Sequence, residues 1–174
     1  MKTFISILTI AAITLSFSVS ASPISHLKRV GQGEMDYLFW TLYQAQFFQE
    51  MPNENPASAN DDQPQDKALK IEYYQSIDNQ DLIDATIEQW QHLGYSDEQI
   101  KRWSAPLSDI WPDVEPGNTL TFVAGKNGVS TFYLEDKVIG TLSDPLFGGA
   151  FLSIWLSERT SHPDLRSQLL GLDQ

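Results

Sequence analysis

Three histidines, His26, His92 and His162, are the side chains whose ordinary titration falls near neutral pH. None has a second His or a carboxylate at the spacing that would place two metal ligands on one helical face. His92 falls in the last turn of a predicted helix, where the helix dipole favours a cation, and His162 falls beside a helix cap. Structural roles are therefore expected for all three. Asp61, Asp62 and Asp66 cluster, but without the order of ligands, Gly and final Glu of a calcium loop. The chain has no Cys, which excludes thiol nucleophiles and thiolate-bound metals. It has no G-x-S-x-G string and no Ser-His-acid order. Gly31-x-Gly33 is too short for a dinucleotide fingerprint, and Gly148-Gly149 sits inside a helical pattern, where it permits close packing. No metal and no cofactor are expected. What remains is the aromatic load of five Trp, six Tyr and nine Phe. Most of these fall on core-facing positions, and an aromatic core beneath a sheet can open into an apolar cleft.

The elements that would shape such a cleft follow from periodicity and punctuation. Residues 37–48, YLFWTLYQAQFF, crowd aromatic residues without Gly or Pro and read as one long strand. Residues 51–66 hold three prolines and no large apolar residue after Met51, and read as a solvated loop. Residues 69–74 resume as a short strand. Asp78 opens a helix along Ile83, Ile87, Trp90 and Leu93 that Gly94 stops. Ser96 and Gln99 form a capping box for a second helix, whose apolar face runs from Ile100 to Trp111 and which Pro112 closes. Residues 119–124 and 129–134 alternate about a turn at Asn127-Gly128, a hairpin signal, and a third strand follows at Val138-Ile139-Gly140. Asp144-Pro145 opens a helix with an apolar stripe of Phe147, Phe151, Ile154 and Trp155. A last helix runs from Ser161-His162-Pro163-Asp164 to Gly171. Segregated runs of strands and helices imply an α+β class, with a sheet carrying its helices on one face.

Residues 1–21 read as a secretory signal peptide: Lys2, an apolar run from Phe4 to Val19, and small residues at Val19-Ser20-Ala21. The run is shorter than the ~18–20 apolar residues needed to span a bilayer. Residues 22–174 then form one domain, expected in the periplasm or secreted, with no membrane insertion once the signal is removed. The formal charge is −12, and loss of Lys2 makes it one unit more negative. Such a chain repels phosphate backbones, so nucleic acid is not an expected partner.

Four strings in order resemble the chalcone isomerase-like family, in its small exported bacterial branch. They are VGQGEMDYLFWTLYQAQFF, the stretch from Tyr74 through WQHLGYSDEQIKRW, YLEDKVIGTL, and FLSIWLSERTSHPDLRSQLLG. The resemblance covers residues 30–171. It implies an open-faced β-sandwich, in which helices cover one side of a large antiparallel sheet and a cleft lies between. Catalytic members of the family are expected to hold a phenolate with a basic side chain near the first strand, helped by Thr, Tyr and Asn. This sequence departs at each place. No Lys or Arg lies between Arg29 and Lys67, so the basic position falls near Glu34 or Asp36. Asp78 stands at the Tyr position, Ala85 at the Asn position and Tyr43 near the Thr position.

Other branches bind fatty acids without catalysis, using Arg and Tyr on the carboxylate. The resemblance therefore implies a non-catalytic exported protein that takes an apolar or fatty-acid-like small molecule. Tyr43, Arg159, Asp36 and Tyr74 are its candidate ligand-binding residues. Arg29 is a second candidate cation, and Arg159 has the alternative role of a helix C-terminal cation. Two rival readings stay open: an intramolecular lyase with a rearranged site, and an envelope interaction protein with a filled core.

Overall fold

A computed structural model of the chain describes residues 22–51 and 64–172. The predicted signal segment and most of the predicted loop lie outside the described residues. Six antiparallel strands pair strictly with their sequence neighbours. They are β1 (Lys28–Tyr37), β2 (Trp40–Gln49), β3 (Lys67–Tyr73), β4 (Thr119–Ala124), β5 (Ser130–Leu134) and β6 (Lys137–Leu142). The helices are α1 (Asn79–Leu93), α2 (Asp97–Ser104), α3 (Leu107–Ile110), α4 (Phe147–Leu156) and α5 (Pro163–Leu170). The α+β sheet with helices on one side is as the resemblance implies.

Strand alternation decides what faces the helices. Ala45 and Phe47 of β2, Leu69, Ile71 and Tyr73 of β3, Leu120 and Phe122 of β4, and Phe132 of β5 are all buried in one core with the helical side chains. Trp90, Trp103, Phe122, Phe132, Phe147 and Phe151 interlock there at ring-centroid separations of 4.6–6.5 Å. On the opposite face Ala68 packs with Ile24 and Leu27 of the segment preceding β1.

Two readings of the sequence need correction. Residues 37–48 are not one strand: the chain reverses at Leu38-Phe39, and Tyr37 pairs with Trp40 across a two-residue turn. The run from Ser96 to Trp111 is not one helix. It breaks at Ala105-Pro106 into α2 and α3, because proline lacks the N–H that would continue the ladder. The caps at Gly94, in the left-handed region, and the Ser96–Gln99 capping box stand as expected. Asp144 acts differently from a simple N-cap. Its Oδ1 accepts from the Leu146 N–H at 2.9 Å, and its Oδ2 accepts from Trp103 Nε1 at 2.9 Å and Arg102 Nε at 3.0 Å. One carboxylate thus ties the start of α4 to α2.

Two glycine pairs behave unequally. A Cβ on Gly31 would meet the Gln168 carbonyl oxygen at 2.1 Å and that of Leu169 at 2.5 Å, so α5 lies on β1 with nothing between them. Gly33 sits against Leu165 and the Gln168 side chain in the same contact. A Cβ on Gly148 would stand 3.0 Å from Ala124 Cβ, whereas one on Gly149 would meet nothing within 4 Å. Of that pair only Gly148 serves close packing.

Candidate functional site

The aromatic cluster fills one end of the space between sheet and helices. The other end, under β1, β2 and β3, is a cleft of about 290 Å³. Small-molecule sites run from roughly 300 Å³ upward. A cavity of about 150 Å³ already holds benzene, so this one suits a compact apolar molecule of about twice that bulk. Ile71, Leu82, Ala85, Leu120, Phe151 and Ile154 give it a mainly apolar wall. Polar groups enter from several elements: Asp36 of β1, Tyr43 of β2, Tyr73 of β3, Asp81 of α1 and His162 at the N-cap of α5.

Tyr43 and Tyr73 stand directly opposite each other across the β2–β3 pair, with ring centroids 5.9 Å apart in an edge-on arrangement. Trp155 Nε1 donates to Tyr43 Oη at 2.9 Å. That bond occupies an acceptor lone pair of the phenol and leaves its O–H free to donate. Burial pushes the Tyr43 pKa up to about 12, against the opposing pull of the Trp155 hydrogen bond. Burial, and after it the neighbouring Tyr43, raises the Tyr73 phenol further. Both hydroxyls are therefore protonated donors at any physiological pH. Trp111, on the same wall, carries a buried indole N–H with no acceptor among the described residues.

The charged groups at the cleft are acidic. Asp36 Oδ1 accepts from Thr41 Oγ1 at 2.7 Å, and Asp81 lies in the first turn of α1. No Lys or Arg lines the cleft among the described residues. His162 is the one group there that could carry positive charge, and burial, with the charge of His92 second, lowers its pKa.

Of the candidates named from the sequence, Tyr43 and Asp36 line the cleft, and Tyr74 and Arg159 do not. Tyr74 follows the last residue of β3, so alternation turns it to the opposite side from Tyr73. Arg159 is exposed just past α4, and its carbonyl accepts from His92 Nε2 at 3.0 Å. Arg29 is also exposed, donating to Gln32 Oε1 at 2.8 Å. Ala85 lines the cleft at the family's Asn position, while Asp78 is the N-cap residue of α1 and lies outside the lining. Sequence reasoning missed Tyr73, Asp81, Trp155 and His162. Strand parity held the signal for Tyr73, since Leu69, Ile71 and Tyr73 share a face. Asp66, considered for calcium, instead accepts the Lys126 backbone N–H at 2.7 Å. Among the described residues no group of three His, Asp or Glu could hold a metal ion.

A larger hollow of about 1080 Å³ lies beside the β4–β5 turn. It is shallow and walled mainly by polar residues and glycine, and its Lys126 pairs with Glu50 at 3.2 Å. Its wall is about half polar, whereas that of the smaller cleft is mainly apolar, so the smaller cleft is the candidate site for an apolar ligand.

Comparison with known proteins agrees with this architecture. No curated protein matches the sequence. Among solved structures, a fatty-acid binding protein of Arabidopsis thaliana shares the fold with a TM-score of 0.63 and 17% identity, over 88% of this chain and 91% of that one. The chalcone isomerase-like family model matches residues 9–171, and the chain belongs to the chalcone isomerase-like family.

Proposed function

We propose that the protein is a non-catalytic binder of a compact apolar molecule with an uncharged, hydrogen-bond-accepting head, held in the cleft between sheet and helices. The observation that carries this reading is the donor pair Tyr43 and Tyr73 in an apolar wall that lacks Lys and Arg. The fatty-acid binding role of the Arabidopsis thaliana protein of the same fold supports the binding of an apolar molecule. Apolar surface leaving water contributes roughly 25 cal/mol per Å² before the costs of association, which makes micromolar affinity a reasonable order of magnitude. Asp36 and Asp81 at the cleft oppose an anionic head. An alcohol, ketone or ester is therefore favoured over a free fatty acid. The chain acts after export, on the pattern of residues 1–21, in the periplasm or outside the cell.

Titration with a matched medium-chain alcohol, carboxylate and alkylammonium tests the reading. Saturable binding of the alcohol is expected, with the carboxylate weakest at neutral pH. A carboxylate that binds tightest, or no saturable response to any of the three, overturns it. Chalcone cyclisation followed by absorbance should stay at its spontaneous rate, because acids stand where a cation would hold the phenolate.

A further inference from the structure

The turn that joins β1 to β2 is built from residues that a solvated turn avoids. Tyr37, Leu38, Phe39 and Trp40 are 65%, 78%, 97% and 64% exposed. They are consecutive, at the end of a hairpin that runs past the point, Tyr43, where the β2–β3 ladder begins. Their order has depth. Tyr37 and Trp40 pair across the hairpin, so their rings stand on the same side of the ribbon, below the apex. Leu38 and Phe39 form the apex itself. Aromatic residues with a polar handle below two purely apolar residues match the layering of a lipid surface, head groups first and acyl chains beyond.

The backbone supplies a second observation. Leu38 holds a φ of 57°. Glycine adopts that left-handed conformation freely, and a side chain there is strained by roughly 1–3 kcal/mol. Folding alone would favour Gly or Asn at this position, so an apolar residue there points to a use for its side chain. Charge narrows the occupant further. No cation lies between Arg29 and Lys67, Glu34 and Asp36 flank the tip, and the chain carries a net charge of −12. An anionic surface repels such a hairpin.

We propose that the β1–β2 hairpin tip docks the protein on a zwitterionic lipid surface, with Leu38 and Phe39 inserted and Tyr37 and Trp40 at the head-group level. Insertion of roughly 5–10 Å is the reach of such interfacial elements. Because Met35, Asp36 and Tyr37 line the cleft, docking brings that wall of the cleft near the lipid. The docking stands whether or not the cleft takes a ligand, and its test reads lipid association alone.

The protein, isolated from cells expressing the full chain and checked by intact mass, is floated with phosphatidylcholine vesicles. Parallel runs use vesicles enriched in phosphatidylglycerol. Partition into phosphatidylcholine is expected, with weaker partition as the anionic lipid rises. The double variant Leu38→Gly/Phe39→Ser should lower partition by about tenfold or more. Its unfolding midpoint should stay unchanged or rise, since glycine relieves the turn. A control pair, Val138→Ser/Leu146→Ser, removes two exposed apolar residues elsewhere and should leave partition intact. Absence of co-flotation, an equal loss in the control pair, or tighter binding to anionic vesicles overturns the proposal. So does a concentration-dependent dimer in light scattering that the tip variant abolishes, because the tip then serves a second copy of the chain.

Discussion

Tyr43 performs two tasks at once: it accepts the Trp155 indole proton and presents its own hydroxyl to the cleft. Tyr43→Phe separates them. Trp155 is 8% exposed, so its N–H would be left buried without an acceptor, at a cost of roughly 1–3 kcal/mol. Chemical denaturation should register that loss without any ligand present. Affinity for an alcohol should fall as well, by the two- to tenfold or so of one neutral hydrogen bond. An unchanged denaturation midpoint would mean that the Tyr43–Trp155 bond contributes nothing to the fold. Tyr43 and Asp36, which line the cleft, are named by the resemblance alone, since the strand pattern read residues 37–48 as one strand and gave them no register. Tyr73 and Tyr74 are adjacent and identical, and the resemblance does not separate them. Alternation from Leu69 and Ile71 does, because it puts Tyr73 on the core face.

The contacts between elements are where single side chains carry the most weight. The meeting of β1 and α5 leaves no room for a methyl group at Gly31, and the atoms in the way are backbone carbonyls that cannot rotate aside. Gly31→Ala should therefore destabilise the domain by roughly 1–3 kcal/mol or more, by prising α5 from the sheet. Gly149→Ala, on an exposed face of α4 with open space around it, should instead stabilise by roughly 0.5–1 kcal/mol. Thermal unfolding of the two variants beside the parent reads both signs. Asp144 links α2 to α4 and has a pH signature. The Leu146 N–H, then the Trp103 N–H, hold its pKa below the ordinary 3.8. A depressed carboxylate contributes stability that is fully present above the unfolded value and lost as pH falls through the folded one. The gap in urea midpoint between the parent and Asp144→Asn should thus be widest near neutral pH and narrow as pH falls through the lowered folded-state value. A gap that widens in acid would refute the link. The helix caps and the Asn127-Gly128 hairpin are legible because each has a local residue signature. The β1–β2 turn has none, since Leu38-Phe39 replaces the usual Gly or Asn with apolar residues. A function on the surface there overrides local turn chemistry.

At the scale of the molecule, the aromatic load divides between filling and lining. The Trp90–Trp103–Phe147 end is packed by its own rings, with Trp90 and Phe147 fully buried and Trp103 nearly so, and leaves no space for a guest. The Tyr43–Tyr73–Trp155 end is the one that opens. A packed half of this kind lets the sheet hold its shape while the cleft exchanges ligand, so the fold need not close upon binding to exist. Ligand should then act as a simple stabiliser by mass action. At about one hundred times its Kd, a molecule that binds only the folded state adds about 2.7 kcal/mol. For a domain near 150 residues each kcal/mol moves the midpoint by roughly 2–4 °C, so a shift of about 5–10 °C is expected with a medium-chain alcohol. The shift should grow with the logarithm of ligand concentration and disappear in a cleft-filling variant such as Ala85→Phe, which should remain folded because its ring takes the ligand's place. A shift of the same size in Ala85→Phe would move the binding out of the cleft. No shift in the parent, with the Leu38→Gly/Phe39→Ser loss of lipid partition still observed, would leave a protein that docks on lipid without carrying any.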